Sequence, residues 1–299
     1  MSESSSAASR SPGARLRKAI AEERPLQVVG VINAYCALLA KQAGFRALYL
    51  SGAGVSNATL GVPDLGVIGI SDVVSEASRI TAATDLPLLV DCDTGWGSSL
   101  SIRRAVRELI GAGVAGLHLE DQVDTKRCGH RDGKQLVSAE EMQQRIGAAV
   151  DARTDPEFLI MARTDAYGVN GIDDAIARAN KYVAAGADAI FAEAMTELSE
   201  YEQFTQSVGV PVLANMTEFG KTPLLDRETL RDAGVSIILY PLSAFRAMSR
   251  AALDVFTAIR ESGTQASVIG SMQTRDELYE VLDYLEQEKK LDNELRENS

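Results

Sequence analysis

The chain has 299 residues, 30 basic and 42 acidic, and its formal charge of −12 argues against nucleic acid or an anionic membrane as a partner. No apolar run reaches the roughly 18 residues that a membrane-spanning helix needs, and MSESSSAASRSPGARLRKAI lacks the apolar core of a secretory signal, so a cytoplasmic protein acting on small molecules is expected. Three scattered cysteines (Cys36, Cys92, Cys128) and two histidines (His118, His130) form neither a disulfide framework nor a zinc motif.

Residues 1–15, rich in Ser, Ala and Arg, read as a disordered tail, and residues 16–299 as one domain. Within that domain QAGFRALYLSG, GAGVAGLHLED, AAGADAIFAEA and DAGVSIILYPL share one grammar. An amphipathic segment ends at Gly44, Gly113, Gly186 or Gly234, and an apolar run of strand length follows. Runs that are apolar on both parities suit parallel strands covered on both faces. The spacing predicts eight strands, over 26–33, 46–52, 86–93, 116–121, 158–165, 188–194, 211–218 and 236–242, with helices between them. Eight such units in about 240 residues is the arithmetic of a (β/α)8 barrel of the α/β class; an open doubly wound sheet reads similarly, and the count favours closure. A helical extension over about 265–299 carries Leu278, Val281, Leu282 and Leu285 at helical spacing, which implies packing on the barrel or on a second subunit.

In such a barrel chemistry sits at the C-terminal strand ends. Asp91 and Asp93, two apart on the third strand, share a face; two carboxylates there repel unless a cation intervenes, and oxygen-only ligands suit Mg²⁺, with Glu120 as a third candidate. The glycine-rich SGAGVSNATLGVPDLGV after the second strand lets backbone approach a ligand, and its Asp64 reaches the metal region or caps a turn. After the fourth strand, QVDTKRCGHRDGK sets Cys128 among Lys126, Arg127, Arg131 and Lys134 in a loop of about sixteen residues. Those cations favour a thiolate and attract an anionic substrate, and Gly129 lets the loop fold down as a lid. His118, flanked by leucines, reads as a satisfied barrel residue, and Cys36 and Cys92 as core.

KRCGH, with VDCDTGWG, LHLEDQ, MARTDA and NMTEFG in this order, resembles the isocitrate lyase and phosphoenolpyruvate mutase superfamily over nearly all of residues 20–295. The resemblance implies a (β/α)8 barrel with C-terminal helices exchanged in a homotetramer, a Mg²⁺ site with Mn²⁺ as a substitute, and cleavage of a 2-hydroxy tricarboxylate. It makes Cys128 the general acid that protonates the succinate carbanion. Asp91, and through water Asp93, Asp64 and Glu120, would hold the metal. Ser51, Gly52 and Ala53 would face the 2-oxo acid portion, and Arg163 would neutralise developing oxygen charge. Gly129, His130, Glu193, Asn215, Thr217, Ser243 and Arg246 would grip the succinate side or organise the lid, with His130 counted in the catalytic set. Tyr49 is the candidate for the first proton transfer.

Phe191 and Leu239 stand where isocitrate lyases carry bulkier or more polar groups, and with Arg127 and the 299-residue length the resemblance implies a lining suited to an extra methyl; the expected reaction is 2-methylisocitrate to pyruvate and succinate, as in propionate catabolism through a methylcitrate cycle. Isocitrate cleavage to glyoxylate and succinate, or a non-catalytic oligomeric binding protein on the same barrel, are the alternatives. Ala53, Ala192, Cys92 and Trp96 depart from the superfamily pattern without removing a catalytic group.

Overall fold

The computed structural model describes residues 11–297. Its strands are β1 (Leu26–Gly30), β2 (Ala47–Leu50), β3 (Leu88–Asp91), β4 (Gly116–Glu120), β5 (Leu159–Thr164), β6 (Ala189–Ala192), β7 (Val212–Asn215) and β8 (Ile237–Tyr240). Each pairs in parallel with the next, and β8 pairs with β1, closing the barrel. All eight expected strands are present, each shorter than its apolar run because the flanking residues leave the ladder.

The helices are α1 (Pro12–Glu22), α2 (Ala34–Gln42), α3 (Ile70–Ala83), α4 (Ser99–Gly111), α5 (Ala139–Ala152), α6 (Ile172–Ala184), α7 (Leu198–Ser207), α8 (Arg227–Asp232), α9 (Ser243–Ser262), α10 (Arg275–Leu282) and α11 (Tyr284–Glu297). Among the described residues no helix is long and apolar enough to cross a membrane.

Strand alternation divides the apolar residues into two cores. Outward-facing Leu48, Val90, Leu117, Ile160, Ile190 and Ile238 pack against the helices. Inward-facing Leu26, Val28, Ala47, Leu89, Leu159, Met161, Leu213 and Ile237 fill the barrel. Leu16 and Ala19 of α1 belong to the inner core, so α1 plugs the N-terminal end of the barrel.

This corrects the expectation of a disordered tail through residue 15. Ser11 caps α1, its hydroxyl accepting from Ala14 N–H at 3.2 Å, and Pro12 opens the helix. A Cβ on Gly13 would stand 2.4 Å from the Glu157 carbonyl carbon, so only glycine lets α1 lie this close to the start of β5. Residues 1–10 of the expected tail lie outside the described residues.

At the C-terminus the helical pattern breaks at Asp283, which takes a left-handed φ of 51° and divides α10 from α11. Leu278, Leu282 and Leu285 stay exposed.

Candidate active site

The C-terminal mouth holds a cavity of about 580 Å³ lined by residues of β2, β3 and β5 to β8 and by the loop after β4. Tyr49, Phe191 and Leu239, from β2, β6 and β8, form its apolar base, with His118 of β4 fitted between the first two. The Tyr49 and His118 rings stack at 5.8 Å, and His118 meets Phe191 edge-on at 5.2 Å. One inward position nearer the mouth, the odd strands supply Asp91, Arg163 and Asn215.

Arg163 is the electrostatic centre. Its Nε donates to Asp165 Oδ2 at 2.9 Å, and Nη1 and Nη2 lie 3.4 and 3.2 Å from Glu120 and Glu193. The guanidinium also sits 5.1 Å from the centroid of the Phe191 ring. Burial by itself would raise the Glu193 carboxyl, but Arg163 and then His130 outweigh it and leave it well below the usual range.

Lys221 N–H donates to His130 Nδ1 at 3.0 Å, which places the ring proton on Nε2, 3.1 Å from Glu193 Oε1. Asn215 Nδ2 reaches the same carboxylate at 3.3 Å. A Cβ on Gly129 would come within 2.5 Å of both Arg163 Nη2 and Glu193 Cγ. Glycine there lets the loop backbone lie directly on this cluster.

The carboxylates of β3 form the second pole. Asp91 accepts from Gly52 N–H at 3.0 Å and Asp93 N–H at 3.1 Å. The Gly52 amide, expected to face substrate, is therefore engaged by Asp91. Asp93 turns its backbone to a left-handed φ of 46°, as Trp96, Ala194 and Phe219 do in the segments that leave β3, β6 and β7. Burial raises both carboxyls, but His118, which is charged only in the acid range, and then Lys126 and Arg163 bring Asp91 down to about 2. Burial and the Asp91 charge hold Asp93 up at about 6.

Lys126 Nζ lies 2.5 Å from Asp64 Oδ1 and 2.7 Å from Asp93 Oδ1, binding these two carboxylates through its ammonium. Among the described residues, no three His, Cys, Asp or Glu groups are spaced to cage one ion. The four carboxylates expected around a metal are thus divided: Asp64 and Asp93 pair with Lys126, and Glu120 faces Arg163.

The chemistry of these donors nevertheless suits a hard divalent cation. The donors are all oxygen, and Glu120 Oε1 is buried without a hydrogen bond among the described residues. A Cβ on Gly52 would stand 3.2 and 3.3 Å from Asp91 Oδ2 and Asp93 Oδ1, so glycine keeps the space beside both open.

Burial and Asp91 raise the Tyr49 phenol well above its ordinary range, so it carries its proton. Its hydroxyl meets His118 Nε2 at 2.8 Å. Burial pushes the His118 imidazole down to about 4, so it is neutral at physiological pH, and among the described residues its Nδ1 has no hydrogen-bond partner. His118 is a barrel residue as expected, only half satisfied and tied to Tyr49.

The structure brings Tyr49, Ser51, Ala53, Asp64, Asp91, Cys128, Gly129, His130, Arg163, Phe191, Glu193, Asn215, Thr217, Leu239 and Arg246 to this one cavity. Ser243 stands at the rim, its hydroxyl bonded to Glu218, and Arg246 is 3.5 Å from Glu218 and stacked over Phe219. Both are engaged with Glu218. Cys128 is exposed on the wall, and Cys36 and Cys92 are buried in the core.

The four loop cations do not all serve the thiol. Lys126 is bound to Asp64 and Asp93, and Lys134 to Asp165. Neither partnership has a signal in the sequence, because the partners lie on other strands and loops.

Residues 16–260 match the family model described as phosphoenolpyruvate phosphomutase. The chain belongs to that family. It is 58% identical to the 2-methylisocitrate lyase of Escherichia coli (strain K12) over 284 residues, covering 95% of this chain and 96% of that protein. The solved structure of 2,3-dimethylmalate lyase, described as a member of the PEP mutase/isocitrate lyase superfamily, superposes with a TM-score of 0.87 at 32% identity, covering 95% of each chain. A phosphonopyruvate hydrolase complex with oxalate and Mg²⁺ superposes with a TM-score of 0.82 at 28% identity, over 93% of this chain and 97% of that one. The chain is an enzyme, a lyase of this superfamily.

Proposed function

We propose that the chain cleaves the C2–C3 bond of 2-methylisocitrate to give pyruvate and succinate with Mg²⁺ bound near Asp91, in the cytoplasm, as a step of propionate catabolism. The observation that carries this reading is a single cavity lined by Cys128, Arg163, Asp91 and Tyr49 over an apolar base of Phe191 and Leu239. The likeness to the E. coli enzyme supports it.

Cleavage needs three things: loss of the C2 hydroxyl proton, neutralisation of the oxygen charge that builds as the bond breaks, and a proton for C3. Tyr49 takes the hydroxyl proton as its own passes to neutral His118, 2.8 Å away. Arg163, held by Asp165 and Glu193, stabilises the developing charge from a fixed position. Cys128 delivers its proton to C3, releasing succinate. Asp91, with Asp93, Asp64 and Glu120, would hold the divalent ion, which would supply Lewis-acid polarisation of the substrate's oxygens. Phe191 and Leu239 receive the C2 methyl, which an apolar pocket favours by about 1–3 kcal/mol.

Removing metal tests the cofactor assignment. Pyruvate release from 2-methylisocitrate should stop in EDTA and return with added Mg²⁺, and Asp91→Ala should stay inactive at any Mg²⁺ concentration. Full turnover in EDTA would refute it.

The reading extends to assembly as a homotetramer with exchanged C-terminal helices. Not one of the twenty residues of α9 is buried, and Leu253, Phe256 and Ile259 expose an apolar stripe of the kind that a second copy covers. Sedimentation equilibrium should give a multiple of 32.0 kDa, and Phe256→Glu should shift it toward the monomer; a monomeric wild type would contradict this.

A further inference from the structure

Cys128 sits between two backbone clamps. On its N-terminal side, the buried Gln122 side chain binds Arg127 twice: Nε2 donates to Arg127 O at 2.9 Å, and Oε1 accepts from Arg127 N–H at 3.0 Å. On its C-terminal side, Lys134 Nζ donates to Gly129 O at 2.6 Å and to Asp165 Oδ1 at 2.9 Å. The Lys134 side chain is only 2% exposed. A buried ammonium is costly unless fully paired, and here a carbonyl of the loop is one of its two partners.

Both clamps are rooted at the loop base. Gln122 forms a bridge with Leu136, Val123 N–H donates to Gln135 O at 3.0 Å, and Arg145 Nη1 donates to Gln122 O at 2.9 Å. Within the loop, Arg131 N–H closes a turn on Cys128 O at 2.9 Å. The exposed residue of the clamped stretch that carries a thiol is thus fixed on both flanks by side chains that do not line the cavity.

We propose that Gln122 and Lys134 are positioning residues that hold Cys128 at the distance its proton transfer requires. The inference rests on the reading of Cys128 as proton donor. Lys134 also ties the loop to Arg163, because both bind Asp165, so the thiol and the guanidinium are set by one carboxylate.

The test uses the full-length protein and three variants, Gln122→Ala, Lys134→Met and Lys134→Arg, with 2-methylisocitrate as substrate and trypsin as a probe of the backbone after Arg127 and Arg131. Misplacement of a catalytic group by about 1 Å costs on the order of 100-fold. The expected result is a kcat loss of about that size in Gln122→Ala and Lys134→Met, with KM moved less than threefold or so and faster trypsin cleavage in the loop. Lys134→Arg, which can still reach a carbonyl and a carboxylate, should recover most of kcat and the resistance to trypsin.

Unchanged kcat in Gln122→Ala, or a loss of kcat without faster loop cleavage, would overturn the proposal. If Lys134→Met does not fold, Gln122→Ala decides, because it removes no charge. A wild type inactive on 2-methylisocitrate would sink the reaction reading instead, while trypsin cleavage still reports whether the clamps hold the loop.

Discussion

Replacing Arg163 with methionine should abolish turnover and lower the melting temperature by on the order of 10 °C. The guanidinium is the shared partner of Asp165, Glu120 and Glu193, all essentially buried, so its removal takes the cation from Glu120 and leaves Asp165 to Lys134 and Glu193 to His130. Breaking a buried pair from one side costs about 3–5 kcal/mol. The pH dependence separates this from a simple packing loss.

In the wild type the Glu193 carboxyl is depressed in the folded state, so its contribution is present above the unfolded pKa and is lost as pH falls through the acid range. Without Arg163, burial dominates and raises the folded pKa. The folded variant then binds more protons than the unfolded chain, and its stability rises as pH falls. Thermal melts should therefore show the gap between variant and wild type narrowing from pH 8 to pH 5. A gap that stays constant would point to lost packing on Phe191 and not to charge.

Cys128→Ser should cost about 10²- to 10⁴-fold in kcat with little change in KM. The hydroxyl is nearly isosteric but a much weaker acid than a thiol, so substrate still binds while C3 waits for its proton. The fold should be untouched, because Cys128 is exposed and has no core contacts to lose. In deuterated water the variant should also show a larger solvent isotope effect, as protonation becomes rate-limiting. A variant with wild-type kcat would remove Cys128 from the chemistry altogether.

The barrel was legible because each unit repeats the same physical statement, a helix stopped by a left-handed glycine and then a run apolar on both faces. Gly113 before β4 and Gly186 before β6 do have φ of 76° and 104°. The apolar runs extend beyond the strands, because residues such as Asp93 and Glu193 lie past the end of the ladder. Ser11 and Pro12 are a helix-start signal for α1, but the serine-rich run before them gives the whole segment the composition of a disordered tail.

Within the site, side chains on strand ends were readable from alternation. Side chains whose partners are distant in sequence were not. Lys126 and Lys134 read as cations around a thiol, whereas their partners Asp64, Asp93 and Asp165 come from the segments that follow β2, β3 and β5. Gln122 carries no charge and no motif that marks it as a clamp.

The central claim is that this cavity cleaves a methylated tricarboxylate. Its most direct test is the release of 2-oxo acid by the purified protein with Mg²⁺, from 2-methylisocitrate and from isocitrate under identical conditions. Pyruvate from the methylated acid, at a kcat/KM about 10- to 200-fold above that for glyoxylate from isocitrate, is the result that an apolar base of Phe191 and Leu239 predicts. Equal or better cleavage of isocitrate would contradict the assignment of that pocket, and release from neither would contradict the reaction.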